Sequence, residues 1–174
     1  MKILKTKFKG TFLIKHKKNV DKRGYFVRDF CIHTLKKKKI TFNIKQTNFS
    51  FNKSIATLRG FHYQKKPYSE SKIISCVKGK LLLVLLNVNT KSKDYLKHAK
   101  FILEESDNKS VLISNECATA FLTLKKNTLA LYYMSNFYKK DKGTGIRFND
   151  PKLNIKWPIK PKIISARDKN FLNL

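Results

Sequence analysis

A chain of 174 residues, 41% hydrophobic and 12% aromatic, is long enough to bury one real core and suits a single domain over 1–174. No apolar run approaches membrane-spanning length, the N-terminal residues hold no signal-like block, and Cys31, Cys76 and Cys117 match no zinc or disulfide spacing, so the expected setting is a reducing cytoplasm with no membrane partner. The 39 Lys plus Arg against 11 Asp plus Glu give +28, but these lysines are spread along nearly the whole chain apart from the short run Lys36–Lys39, which reads as a solvated surface; nucleic acid is not the expected partner.

Residues 1–30 read as short strands, with Gly-Thr-Phe-Leu-Ile at 10–14 and Tyr-Phe-Val at 25–27 around a polar loop ending Asp21-Lys22-Arg23-Gly24. Asp29–Lys39 has the pattern of a brief amphipathic helix, and Gln46–Ser50 alternates as a strand edge facing a site would. The next stretch, Thr57-Leu58-Arg59-Gly60-Phe61-His62-Tyr63-Gln64, sets a guanidinium, a glycine and an imidazole within four residues. Arg59 could hold an anionic group while His62 handles a proton.

From Lys72 onward the β signal is strong. Lys72–Val77 and Leu81–Val88 flank the turn Lys78-Gly79-Lys80, and 101–103, 111–113, 118–124 and 129–134 follow, separated by polar turns. Many short strands with almost no helical period indicate an all-β sandwich or jelly roll with short peripheral helices. The polar C-terminal part carries Trp157 and the Ile163-Ile164 pair, which favour folding back over the sheet rather than trailing in solvent. Only five arginines occur (Arg23, Arg28, Arg59, Arg147, Arg167), each marking a place where a flat multi-donor fork is wanted in an otherwise lysine-rich chain.

Several motifs run in one order: Asp21-Lys22-Arg23-Gly24-Tyr25-Phe26, Gln46-x-Asn48-x-Ser50, Leu58–Gln64, Glu70-x-Lys72, Tyr133 with Tyr138, Gly145–Pro151, Trp157-Pro158 and Ile164-Ser165-Ala166-Arg167-Asp168. This ordered set resembles the dTDP-4-dehydrorhamnose 3,5-epimerase family, cupin-type jelly rolls acting on nucleotide sugars. The resemblance implies an isomerase needing no cofactor and no metal, and a nucleoside-diphosphate sugar with a ketone at carbon 4, whose carbon 3, carbon 5 or both are inverted. It implies His62 as base, Asp168 as its orienting carboxylate, Lys72 beside the enolate oxygen and Tyr133 as proton donor on the opposite face. Strand alternation leaves Tyr132 as the inward residue if the register differs. It further implies Arg59, Gln46 and Asn48 near the diphosphate, Tyr138 stacking on the base, and Arg23 with Phe26 lent from the second copy in a homodimer. The four histidines (His16, His33, His62, His98) are unpaired in sequence, unlike those of metal-binding cupins.

The chain also departs from the family pattern. Thr119 stands where the family carries a histidine, the Leu83–Asn89 stretch lacks two expected carboxylates and an arginine, and Arg28 stands where a glutamate is frequent. These departures are expected to surround one cavity and make it more cationic. Two other readings keep the fold and change the chemistry: a sugar 3,4-ketoisomerase, and a nucleotide-sugar-binding cupin without turnover.

Overall fold

The computed structural model describes residues 1–174. In chain order the strands are β1 (Lys2–Lys5), β2 (Phe12–Lys15), β3 (Lys18–Asp21), β4 (Gly24–Val27), β5 (Gln46–Asn52), β6 (Thr57–Gln64), β7 (Lys72–Lys78), β8 (Lys80–Asn87), β9 (His98–Glu104), β10 (Lys109–Ile113), β11 (Cys117–Thr123), β12 (Thr128–Met134), β13 (Gly143–Gly145) and β14 (Ile163–Ile164). Two short helices are α1 (Ile32–Lys37) and α2 (Ala166–Lys169). None is long and apolar enough to cross a membrane.

The strands form two six-stranded sheets and a separate hairpin. The first sheet runs β1-β2-β10-β7-β12-β5, the second β13-β6-β11-β8-β9 with β14 added alongside β6, and β3 pairs only with β4. All pairings are antiparallel except β14 with β6. Such a face-to-face pair needs apolar side chains on the inner face of each strand, and period-two alternation supplies them. Leu81, Leu83 and Leu85 of β8 meet Ile74, Val111 and Ile113 across the gap.

β8 is apolar on both faces because both are covered. Its even residues, Leu82, Val84 and Leu86, form a second cluster with Leu58, Ala120 and Leu122, and the polypeptide from Ile146 to Ile164 lies over it through Leu153, Trp157 and Ile159. The C-terminal part therefore folds back, with the Trp157 Nε1–H donating to the Phe148 carbonyl at 3.2 Å. On the outer face of the first sheet, α1 inserts Leu35 between Ile14, Ile73 and Phe42. The helix is shorter than the amphipathic stretch because Lys39 turns to a positive φ of 57°.

The β3–β4 hairpin stands clear of both sheets, with Val20, Tyr25 and Phe26 each more than half exposed. β5 closes one edge of the first sheet and turns Phe49 and Phe51 outward.

Candidate active site

Away from the leucine core the two inner faces separate and leave a cavity of about 370 Å³. From the first sheet the even residues face it: Gln46 and Asn48 on β5, Lys72 and Ile74 on β7, Tyr132 and Met134 on β12. The register makes this one continuous face, since Tyr132 lies between Asn48 and Ile74, and Met134 between Gln46 and Lys72. β6 and β11 supply Arg59, His62, Thr119 and Phe121 from the opposite wall.

The β6 glycine serves a close approach. Gly60 has φ +119°, and a Cβ there would lie 2.6 Å from Ala120 Cα on β11. Its N–H donates to Asp168 Oδ2 at 3.0 Å, while Asp168 Oδ1 lies 2.7 Å from His62 Nε2. Asp168 reaches this position because β14 pairs with β6 (Ile164 opposite Leu58) and the chain then turns into α2, where Ser165 Oγ accepts the Asp168 N–H at 3.1 Å. A sequence separation of 106 residues is thus closed by two backbone pairs and one helical turn. Burial pushes the Asp168 carboxyl up, but hydrogen bonds from His62 and Gly60 and the imidazole's charge outweigh it and hold it below the usual carboxylate range. With Nε2 committed to the carboxylate, Nδ1 of His62 has no protein partner, and the side chain is 40% exposed.

On the facing wall Lys72 is buried and bonds Glu70 Oε1 at 2.9 Å and Thr119 Oγ1 at 3.3 Å. The tyrosine of this wall is Tyr132, which corrects the expectation for Tyr133. Tyr133 lies opposite Ile73 and Thr47, on the other face of β12, where its ring sits 5.6 Å from Phe30. Burial, and then the Asp29 carboxylate, push its hydroxyl up to about 12. Burial also raises Tyr132, opposed by the Arg59 charge, so its phenol is protonated at neutral pH.

The remaining expected binding residues divide in two. Arg59 lines the cavity with its Nε donating to Asn52 Oδ1 at 2.9 Å, and Gln46 Nε2 donates to Asn48 Oδ1 at 3.1 Å. Tyr138 stands at the rim, its N–H held by Gln46 Oε1 at 3.0 Å. Arg23 and Phe26 lie elsewhere, on the hairpin, where Arg23 pairs with Asp21 at 2.6 Å. Two cavity residues carry chemistry that the sequence reading had not assigned to the site. Arg167 donates to the Tyr138 hydroxyl at 3.3 Å and the Gly143 carbonyl at 2.9 Å; Glu70 is bonded to Lys72. Arg167 had a signal, as a rare arginine next to Asp168.

Of the departures from the family pattern, only Thr119 lines the cavity. Of the two positions where the family pattern has carboxylates, Leu83 is fully buried in the leucine core and Asn87 is buried at the end of β8, while Arg28 is exposed at the base of the hairpin. They do not share one cavity, because the inter-sheet space is divided into an apolar part and a polar part. Cys76 and Cys117, whose thiols burial pushes up to about 12, are packing residues.

The sequence profile described as dTDP-4-dehydrorhamnose 3,5-epimerase matches residues 5–174. A dTDP-4-dehydrorhamnose 3,5-epimerase of Sinorhizobium fredii is 29% identical over 159 residues, covering 91% of this chain and 82% of its own. Among solved structures, the Bacillus anthracis enzyme of that name, with TDP and PPi bound, superposes with a TM-score of 0.96 at 27% identity over 99% of both chains. The Sulfolobus tokodaii enzyme superposes with a TM-score of 0.90 at 32% identity, over 99% of this chain and 94% of its own.

Proposed function

The chain belongs to the dTDP-4-dehydrorhamnose 3,5-epimerase family, and from that membership we propose how its own residues carry out the reaction. It is an isomerase acting on a nucleotide-linked 4-keto-6-deoxyhexose, inverting carbon 3, carbon 5 or both. A hydrogen next to a ketone is weakly acidic, so its removal needs a positioned base and a stabilised enolate oxygen. His62 Nδ1 takes that proton, and Asp168 keeps the ring in the tautomer whose Nδ1 is free and then stabilises the imidazolium. Lys72 has two of its three N–H donors engaged by Glu70 and Thr119, and the third serves the enolate oxygen.

Tyr132 returns a proton to the opposite face of the carbon, which inverts it. The phenol is left as phenolate and the imidazole as imidazolium until both exchange with solvent. The observation that carries this reading is the His62–Asp168 pair at 2.7 Å on one wall of a sugar-sized cavity whose other wall presents Tyr132.

The diphosphate end falls to Arg59 and Arg167, with Gln46 and Asn48 beside them and Tyr138 at the base. The hairpin with Arg23 and Phe26, together with the unpaired β5 edge, is the apolar and cationic surface that a second copy covers in an isologous dimer.

The test is label wash-in. Incubated with dTDP-4-keto-6-deoxyglucose in heavy water, the protein incorporates deuterium at carbon 3, carbon 5 or both, and His62→Ala abolishes incorporation. Absence of label from the parent protein overturns catalysis and leaves a binding cupin. Movement of the ketone from carbon 4 to carbon 3 would assign a ketoisomerase.

A further inference from the structure

The cavity holds three basic side chains and they are not equivalent. Arg59 and Arg167 have only neutral partners: an Asn52 side-chain oxygen for the first, the Tyr138 hydroxyl and the Gly143 carbonyl for the second. Lys72 alone is paired to a carboxylate, Glu70, which is also the only acid among the residues lining the cavity. Both members of the pair are more than nine-tenths buried, at 6% and 7% exposure.

Glu70 is itself held in place. Its Oε2 accepts from Gln64 Nε2 at 3.1 Å, and that amide is fixed by the Tyr68 and Phe137 carbonyls at 3.0 and 3.1 Å and by the Lys139 N–H at 2.6 Å. A network this fully partnered gives the carboxylate one position, so the ammonium it holds also has one.

We propose that Glu70 is the positioning residue that sets which way round the substrate lies: it cancels the charge of Lys72, so the diphosphate goes to Arg59 and Arg167, and the ammonium is left for the sugar's carbonyl oxygen. The inference rests on the epimerase reading above and names a group that reading does not use. A nucleoside diphosphate brings about two negative charges, and a dianion entering a low-dielectric cleft is drawn to the least compensated cations. Without Glu70 the Lys72 ammonium would be a third attractor on the sugar side and would compete for phosphate oxygens. With Glu70 the local net charge at Lys72 is zero, while one N–H remains directed by geometry toward a neutral carbonyl.

Three proteins test this: the parent, Glu70→Gln, and the double variant Glu70→Gln/Lys72→Met, each titrated calorimetrically with inorganic pyrophosphate and assayed separately for label wash-in. The isosteric Glu70→Gln change removes charge and keeps shape. It is expected to bind pyrophosphate about fivefold more tightly while kcat for wash-in falls about tenfold or more. The two opposite changes together are what a merely structural role would not produce. In the double variant the net charge at this position is zero again, and pyrophosphate affinity is expected within about twofold of the parent.

Unchanged or weaker pyrophosphate binding by Glu70→Gln, or unchanged kcat, overturns the proposal. So does loss of pyrophosphate binding in the double variant, which would give the diphosphate to Lys72. If Glu70→Gln fails to fold, loss of pyrophosphate binding in the double variant still overturns the proposal. A parent protein that shows no wash-in sinks the epimerase reading and leaves the pyrophosphate comparison standing.

Discussion

Asp168→Asn is the sharpest perturbation of the proposed chemistry, because it removes one charge and leaves the shape. The carboxylate is 3% exposed and has two partners, His62 Nε2 at 2.7 Å and the Gly60 N–H at 3.0 Å. Asparagine still accepts from Gly60 through its oxygen, but it turns an amide N–H toward the ring. That forces the imidazole proton onto Nδ1, the atom that has to accept one. In the transition state the ring becomes positive. Opposite charges about 4 Å apart attract by about 4 kcal/mol at an effective dielectric of about 20. His62 is 40% exposed, so solvent screening leaves about half of that. The loss of ~2 kcal/mol corresponds to a fall in kcat of about 30-fold, and the wrong tautomer adds to it.

The assay is single-turnover deuterium incorporation, with thermal unfolding run alongside to show that the variant is folded. A rate within about twofold of the parent would refute the role given to the carboxylate. The same substitution has a pH signature in stability. The folded-state carboxyl of Asp168 lies below its ordinary value, so its contribution is fully present above the unfolded pKa and disappears as pH falls through the folded one. Denaturant titrations across the acid range should therefore show a steeper loss of stability for the parent than for Asp168→Asn below about pH 4.

Tyr132→Phe should lower formation of the inverted sugar by about 100-fold or more, whereas Tyr133→Phe, altered on the outer face beside Phe30, should stay within about threefold of the parent; a reversal of that order would return the proton donor to Tyr133. Co-expressed Arg23→Ala and His62→Ala chains should recover activity that neither has alone, since one of the two sites in a mixed dimer is intact when Arg23 is lent across the interface; no recovery would place Arg23 in its own chain's site. Trp157→Ala should cost about 3 kcal/mol in denaturant unfolding, because the half-buried indole covers Phe61 at 6.3 Å and bonds the Phe148 carbonyl; a loss under about 1 kcal/mol would show that the C-terminal segment is not part of the core.

The signals that could be read from the chain alone were those that act locally. Alternating β-branched and aliphatic runs mark strands wherever they occur, and β7, β8, β11 and β12 lie within a residue or two of where the pattern places them. The strands β1 and β3, and the brief β13 and β14, carry little such pattern. They are strands because a neighbouring edge pairs with them, as β6 does with β13 and β14. Arg59, Gly60 and His62 could be picked out because three unlike chemistries stand within four residues.

What local pattern could not decide is which of two adjacent tyrosines looks inward. Leu131-Tyr132-Tyr133-Met134 is apolar or aromatic throughout, since both faces of β12 are covered, so alternation has no polar side to count from. Only the pairing of Tyr132 with Asn48 and Ile74 chooses the face, and a slip of one residue would reverse it. The leucines of β8 likewise carry no sign of which of them face the first sheet and which lie under the C-terminal segment. The chain by itself determined the core strands, the family and the reactive residue types. Tertiary structure decided the neighbours: which tyrosine faces His62, which carboxylate compensates Lys72, and that Arg28, Leu83 and Thr119 never meet. Residue type is a property of one position, whereas facing depends on register between strands far apart in sequence.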